Sequence, residues 1–237
     1  RDTEALAMLN TLLTLDAVDA AVRREARRQI VAMHERLGSI DTQLATWEQA
    51  FATEPPALDA GYMLVEAYGR RRPPDVAAVE RTLGRIATLR PGDVDTLAAL
   101  ERSYVLRGDR SSAITTLEQL VEADPMRAVS YLERMAEHAL ALYRDADALR
   151  YAEEAVRRRP EDAAAHVRLG DLHRARHELD AAVEQYRRAI ALDDRLFGTF
   201  FELAQLEGER GRTTEAAPLY MHVIRVSPDD ETRITCM

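Results

Sequence analysis

The sequence predicts an all-α chain of antiparallel helix hairpins laid side by side, and three observations carry that prediction. Pro91, Pro125, Pro160 and Pro228 stand at near-regular intervals, with Asp194 where a further proline is missing, and the gaps are 34, 35, 34 and 34 residues. Such a period is the signature of stacked two-helix repeats. Aligning 94–127, 129–162, 163–196 and 197–230 puts like residues in like columns, with Leu100, Met135, Leu169 and Leu203 in the seventh and Ala113, Ala148, Ala182 and Ala216 in the twentieth. Within a unit the apolar residues recur at three and four, as in Leu169, Leu172, Ala182, Val183, Tyr186, Ala189 and Ile190, which is the stripe of an amphipathic helix.

Residues 1–17 hold one such stripe, from Glu4-Ala5-Leu6 to Leu15-Asp16, and read as the second helix of a partial repeat. Residues 18–57 carry Ile30 and Val31, then Gly38 at a turn, then Trp47 and Ala50 before Pro55, with Trp47 expected in the core. Residues 58–93 carry Leu64, Val65 and Tyr68 before Pro73-Pro74 lengthens the turn. In the repeats 94–128, 129–162, 163–196 and 197–230 the two stripes part at turns such as Gly108-Asp109 and Gly211-Arg212. The second stripe stops at the proline, which disfavours helical geometry in the residue before it. Each helix spans about 14 residues, or 21 Å, and neither can bury its stripe without a neighbouring hairpin. Pro228-Asp229-Asp230 opens a further helix that continues into 231–237. No low-complexity linker separates the units, so residues 1–237 are expected to form one array, and because both ends fall inside repeats it is expected to be a window on a longer one.

These columns resemble the tetratricopeptide repeat family, whose first helix carries a bulky residue, Leu, a small residue and Tyr, and whose second carries Ala, an aromatic, Ala and Pro. The counterparts in 163–196 are His166, Leu169, Gly170, His173, Ala182, Tyr186, Ala189 and Asp194. In 197–230 they are Phe200, Leu203, Ala204, Glu207, Ala216, Tyr220, Val223 and Pro228. His173 and Glu207 stand where the family has Tyr, and Asp194 where it has Pro. The resemblance covers nearly the whole chain. It implies a right-handed superhelical solenoid whose first helices, here called helix A, line a concave groove that takes a protein or peptide segment.

The same resemblance implies that Arg28, Tyr62, Glu66, Arg70 and Arg102 face that groove in the earlier repeats, and Glu137, Asp171, Arg174, Phe201 and Gln205 in the later ones. Tyr62 and Phe201 would be apolar anchors, and the alternating arginines and carboxylates suit a partner carrying both charges. One subgroup of the family clamps a C-terminal carboxylate with lysines and paired asparagines in these columns. This chain has no Lys and a single Asn, Asn10, which leaves Arg102 and Arg174 as the candidates to hold a carboxylate.

Composition narrows the chemistry. Over 237 residues, 41 Asp and Glu against 32 Arg give a net charge of -9, the wrong sign for gripping a phosphate backbone. Without lysine there is neither a Schiff-base nor a phosphate-loop lysine. Cys236, the one cysteine, excludes an internal disulfide and a multi-thiolate metal site, and fits a reducing, cytoplasmic compartment. No run of 18 apolar residues occurs, so no membrane-spanning helix is expected. The absence of Lys beside abundant Ala, Arg, Asp and Glu fits a GC-rich coding sequence and a bacterial source.

His173 and His177 have the i, i+4 spacing that can share a metal, with His166 on the same helix, but two histidines make a weak site and His166 and His173 occupy packing columns. Nucleophile and nucleotide motifs are absent from the sequence. The runs Arg157-Arg158-Arg159 and Arg187-Arg188 have acidic neighbours at salt-bridge spacing, Glu184 for the second, whereas Arg70-Arg71-Arg72 is the least neutralised. The expectation is a non-catalytic scaffold without cofactor or metal, binding a protein or peptide and no nucleic acid, within a larger protein or assembly. Two alternatives stay open. One is a recruiting region of an enzyme whose catalytic domain lies outside the chain. The other is an RNA-reading repeat of the pentatricopeptide kind, which predicts a basic groove.

Overall fold

The computed structural model describes residues 2–15 and 17–226. Among these residues every regular element is helical. They are α1 (Asp2–Leu13), α2 (Ala20–Arg36), α3 (Ile40–Ala52), α4 (Leu58–Arg70), α5 (Val76–Leu89), α6 (Val94–Arg107) and α7 (Arg110–Ala123). After one 3-10 turn, Pro125–Arg127, come α8 (Ala128–Ala141), α9 (Asp145–Arg158), α10 (Ala163–Ala175), α11 (Leu179–Leu192), α12 (Phe197–Glu209) and α13 (Thr213–Val226). The helix expected after Pro228, and Cys236, lie outside the described residues.

The chain divides into two compact units that part between Gly108 and Asp109. In the first, consecutive helices from α1 to α6 lie against one another in chain order, and α2 also packs on α4, so that the helices A of two successive repeats meet. In the second, α7 to α13 pack in the same sequential way. Nearest-neighbour packing of this kind is what a helical repeat requires, because each stripe finds its burial in the next helix along.

The repeating columns are the core. Leu100, Met135, Leu169 and Leu203 are buried, as are Ala113, Ala148, Ala182 and Ala216. Trp47 is buried with its ring edge against His34, 5.7 Å between centroids. The small residues are small for a reason. A Cβ on Gly170 would come within 2.6 Å of the Tyr186 ring, and one on Gly61 within 2.7 Å of Phe51, so helix and ring approach more closely than any side chain allows.

Four helix starts are set by aspartates: Asp19 accepts from the backbone N–H of Ala21, Asp75 from Ala78, Asp109 from Ser112, and Asp162 from both Ala164 and Ala165. Each satisfies donors that the first turn leaves without a partner. The turn from helix A to helix B closes through one residue in the left-handed region, φ 80° at Gly108 and 74° at Gly211. The two intervening hairpins place Tyr143 and His177 there, at 58° and 59°, where a Cβ is strained. Because α10 ends at Ala175, His177 lies beyond the helix and the i, i+4 geometry assumed for it and His173 does not exist.

Two stability measurements follow. Tyr143 is 93% exposed, so Tyr143→Gly loses no packing and relieves the turn; a net gain of about 0.5 kcal/mol is expected, read as a higher urea midpoint at constant slope. A lower midpoint would refute the strain. Ala182, fully buried, has no room for a cation: Ala182→Arg should cost about 3 kcal/mol, and unchanged helicity and melting would show that α11 is not packed as described.

Candidate functional site

Five of the ten expected groove residues fall in two clefts, one in each unit: Arg28, Tyr62 and Glu66 in the first, Glu137 and Asp171 in the second. In the first, α2, α4 and the start of α6 enclose a cleft of about 200 Å³ whose lining includes Arg24, Arg27, Arg28, Tyr62, Glu66, Arg90, Asp93 and Asp95. Most of its charges are already paired. Arg23 and Arg27 both bond Asp59, at 3.0 and 2.8 Å, and the Arg27 guanidinium lies 4.3 Å from the centre of the Tyr62 ring. Burial pulls the Arg27 pKa down against the opposing pull of Asp59. Tyr62 donates its hydroxyl to Asp93 at 2.7 Å and meets Thr96 at 3.3 Å, and burial raises its pKa. Arg24 pairs with Asp95.

Arg70 is held by Glu66 and Glu35, at 2.7 and 3.2 Å. Arg71 lies over the Tyr68 ring with Asp75 at 3.7 Å, so the arginine run that looked least neutralised in sequence is substantially paired. Arg28, exposed at the mouth of the cleft, makes no ion pair or hydrogen bond among the described residues. Arg102 is likewise exposed and unpaired on α6, outside this cleft.

In the second unit, α8, α9 and α10 enclose a cleft of about 430 Å³ that brings Glu137 and Asp171 together, with Glu133 and Arg168 beside them. Glu133 pairs with Arg168. Asp171 accepts from the Tyr186 hydroxyl at 2.7 Å, and burial raises the tyrosine's pKa. Arg174, Phe201 and Gln205 lie apart from this cleft: Arg174 pairs with Glu202, Phe201 meets the edge of Tyr220 at 5.8 Å, and Gln205 is half-buried.

The residues that depart from the family's columns have identifiable partners. Glu207, fully buried where an aromatic is usual, accepts from Arg187 at 2.6 Å and Arg210 at 3.3 Å. Arg187 therefore reaches across to α12 instead of to Glu184 on its own helix. His173 bonds Glu178 at 2.7 Å, and both ring nitrogens of His166 are engaged, by Gln185 and the Pro160 carbonyl. Among the described residues no group of three or more His, Cys, Asp or Glu is placed to share a metal, and no helix is long and apolar enough to cross a membrane.

Sequence reasoning missed the paired lining of the first cleft, Arg24, Arg27, Asp93 and Asp95, because these pairs join residues more than 30 positions apart. It also passed over Ala152, which lines the second cleft. The signal for that one is present in the alignment, since Ala152 sits in the column that holds Tyr186 and Tyr220.

Tyr62 holds the first unit together as well as lining its cleft. Tyr62→Ala should cost about 3 kcal/mol through lost packing, whereas Tyr62→Phe, which removes only the hydroxyl, should cost about 1 kcal/mol. Equal denaturation midpoints for the two variants would show that the ring is not packed between Arg27 and α6.

Comparison with known proteins agrees with the helical-repeat fold. Residues 133–195 match the tetratricopeptide repeat family model. Cellulose synthase operon protein C of Xanthomonas axonopodis pv. citri (strain 306) is 28% identical over 193 residues, which are 78% of this chain; the chain spans 12% of that protein's length. Among solved structures, YrrB, described as a TPR protein with an unusual peptide-binding site, aligns with a TM-score of 0.54 at 15% identity, covering 80% of this chain and 96% of that one. MamA from Desulfovibrio magneticus RS-1 aligns with a TM-score of 0.51 at 20% identity, covering 68% and 90%. Residues 133–195 are a tetratricopeptide repeat segment, and the chain around them is an all-α helical repeat of the same fold.

Proposed function

We propose that this chain is a non-catalytic scaffold for protein–protein interaction, as tetratricopeptide repeats in general are, holding a peptide or protein segment along its helix-A residues within a larger protein or complex. The observation that carries the reading is that both clefts are lined from helix A and keep exposed side chains, Arg28 and Glu137, that the fold does not use internally. Peptide binding by the structural neighbour YrrB supports it, and the likeness to a short stretch of a much longer relative supports a place in a larger polypeptide. Carboxylates interleaved with the arginines in both clefts, and the net charge of -9, argue against nucleic acid as the partner.

The test is photo-crosslinking capture from the source cell with a benzophenone residue at position 28, 102, 137 or 205, set against positions on α9 and α11. Crosslinks to a common protein from the helix-A positions alone are expected. Combining Arg28→Glu with Glu137→Arg should reduce the captured partner by about tenfold with melting unchanged, since neither side chain is paired. Capture equal to wild type, or crosslinks confined to α9 and α11, would place the partner elsewhere.

A further inference from the structure

The second cleft exists because one hairpin lacks the ring that its neighbour uses. In 163–196, Tyr186 lies against Gly170 so closely that a Cβ on the glycine would stand 2.6 Å from the ring. The aligned pair in 129–162 is Ala136 and Ala152, and both line the open space between α8, α9 and α10. The rest of its floor is apolar, formed by Ala155, Ala165, Leu140 and Leu172. Leu140 remains 42% exposed.

The rim is acidic. Glu133, Glu137 and Asp171 face a single cation, Arg168, whose Nη2 is taken by Glu133. Glu137 is exposed and makes no ion pair or hydrogen bond among the described residues, and Asp171 uses one oxygen for Tyr186.

We propose that this cleft docks a protein segment of basic-apolar character: a leucine-like side chain on the alanine floor and an Arg or Lys from the same segment at Glu137 and Asp171. The proposal rests on the helix-A scaffold reading and gives its second cleft a chemistry. Charge complementarity selects the cation, and the apolar floor selects the side chain before it.

The test uses the full chain and fluorescein-labelled nonapeptides read by polarisation. The probe has two leucines followed by two arginines at its centre; one control replaces the arginines by glutamates and another the leucines by serines. The probe should bind at least about tenfold tighter than either control. Ala136→Gly combined with Ala152→Tyr, which builds the Gly170–Tyr186 arrangement into this hairpin, should weaken the probe by about tenfold with helicity retained, and so should Glu137→Arg at an exposed position. The glutamate control binding equally, or the filled cleft binding as wild type, overturns the proposal and leaves the scaffold reading standing. Silence from all three peptides overturns it too, while the crosslinking experiment still decides the broader reading.

Discussion

No helix in this chain can bury its apolar stripe alone, and the rest of the structure depends on that constraint. A 14-residue amphipathic helix is marginal in isolation, so each must lie against a neighbour. What lets it do so is the run of fully buried small residues, Ala113, Ala148 and Ala182, in one column of successive hairpins. Small side chains bring the backbones close enough for the large ones, Leu203 and Tyr186 among them, to fill the gaps on either side. The period of the sequence is therefore the period of the packing, and the prolines and left-handed turn residues mark where one packed helix must give way to another.

Polar side chains follow the same logic where they interrupt the columns. A buried carboxylate is tolerated only when its charge is met, and the chain meets it from the adjoining elements. Glu80 takes Ser103 at 2.9 Å and Arg107 at 2.7 Å from α6, and Glu207 takes Arg187 from α11 and Arg210 from its own helix end. In both cases an ion pair joins two helices that the apolar columns already hold side by side. It fixes register where an aromatic ring or an aliphatic chain would otherwise do so.

The fold was legible because its signals are local and repeated. Leu169, Ala182 and their equivalents return at a fixed spacing, though that spacing did not show that α10 stops short of His177. What the spacing could not supply is where long arginines go. Glu184 looked like the partner of Arg187 by helical spacing, but Glu207 lies within reach on the next helix and, being buried, gains more from the pairing. Tyr62 looked like an anchor for a ligand, yet Arg27, Asp93 and Thr96, drawn from two other helices and a connecting turn, hold it first. The second cleft was half legible: Ala152 breaks an aromatic column in plain sequence, but the consequence shows only once Tyr186 is seen to occupy the matching space against Gly170.

That contrast separates the residues that hold this chain together from those available to bind. A side chain whose donors and acceptors are already matched must give them up before it can serve a partner, and the exchange gains little. Tyr62, Glu66, Arg70 and Arg174 are in that position, each matched to a neighbour on the same or an adjacent element. Arg28 and Glu137 are not, and each sits on the lining of a cleft. On the proposed scaffold reading, binding energy and specificity in this chain would reside less in the column positions as such than in the few places where the internal network leaves a charge unmatched or a ring left out.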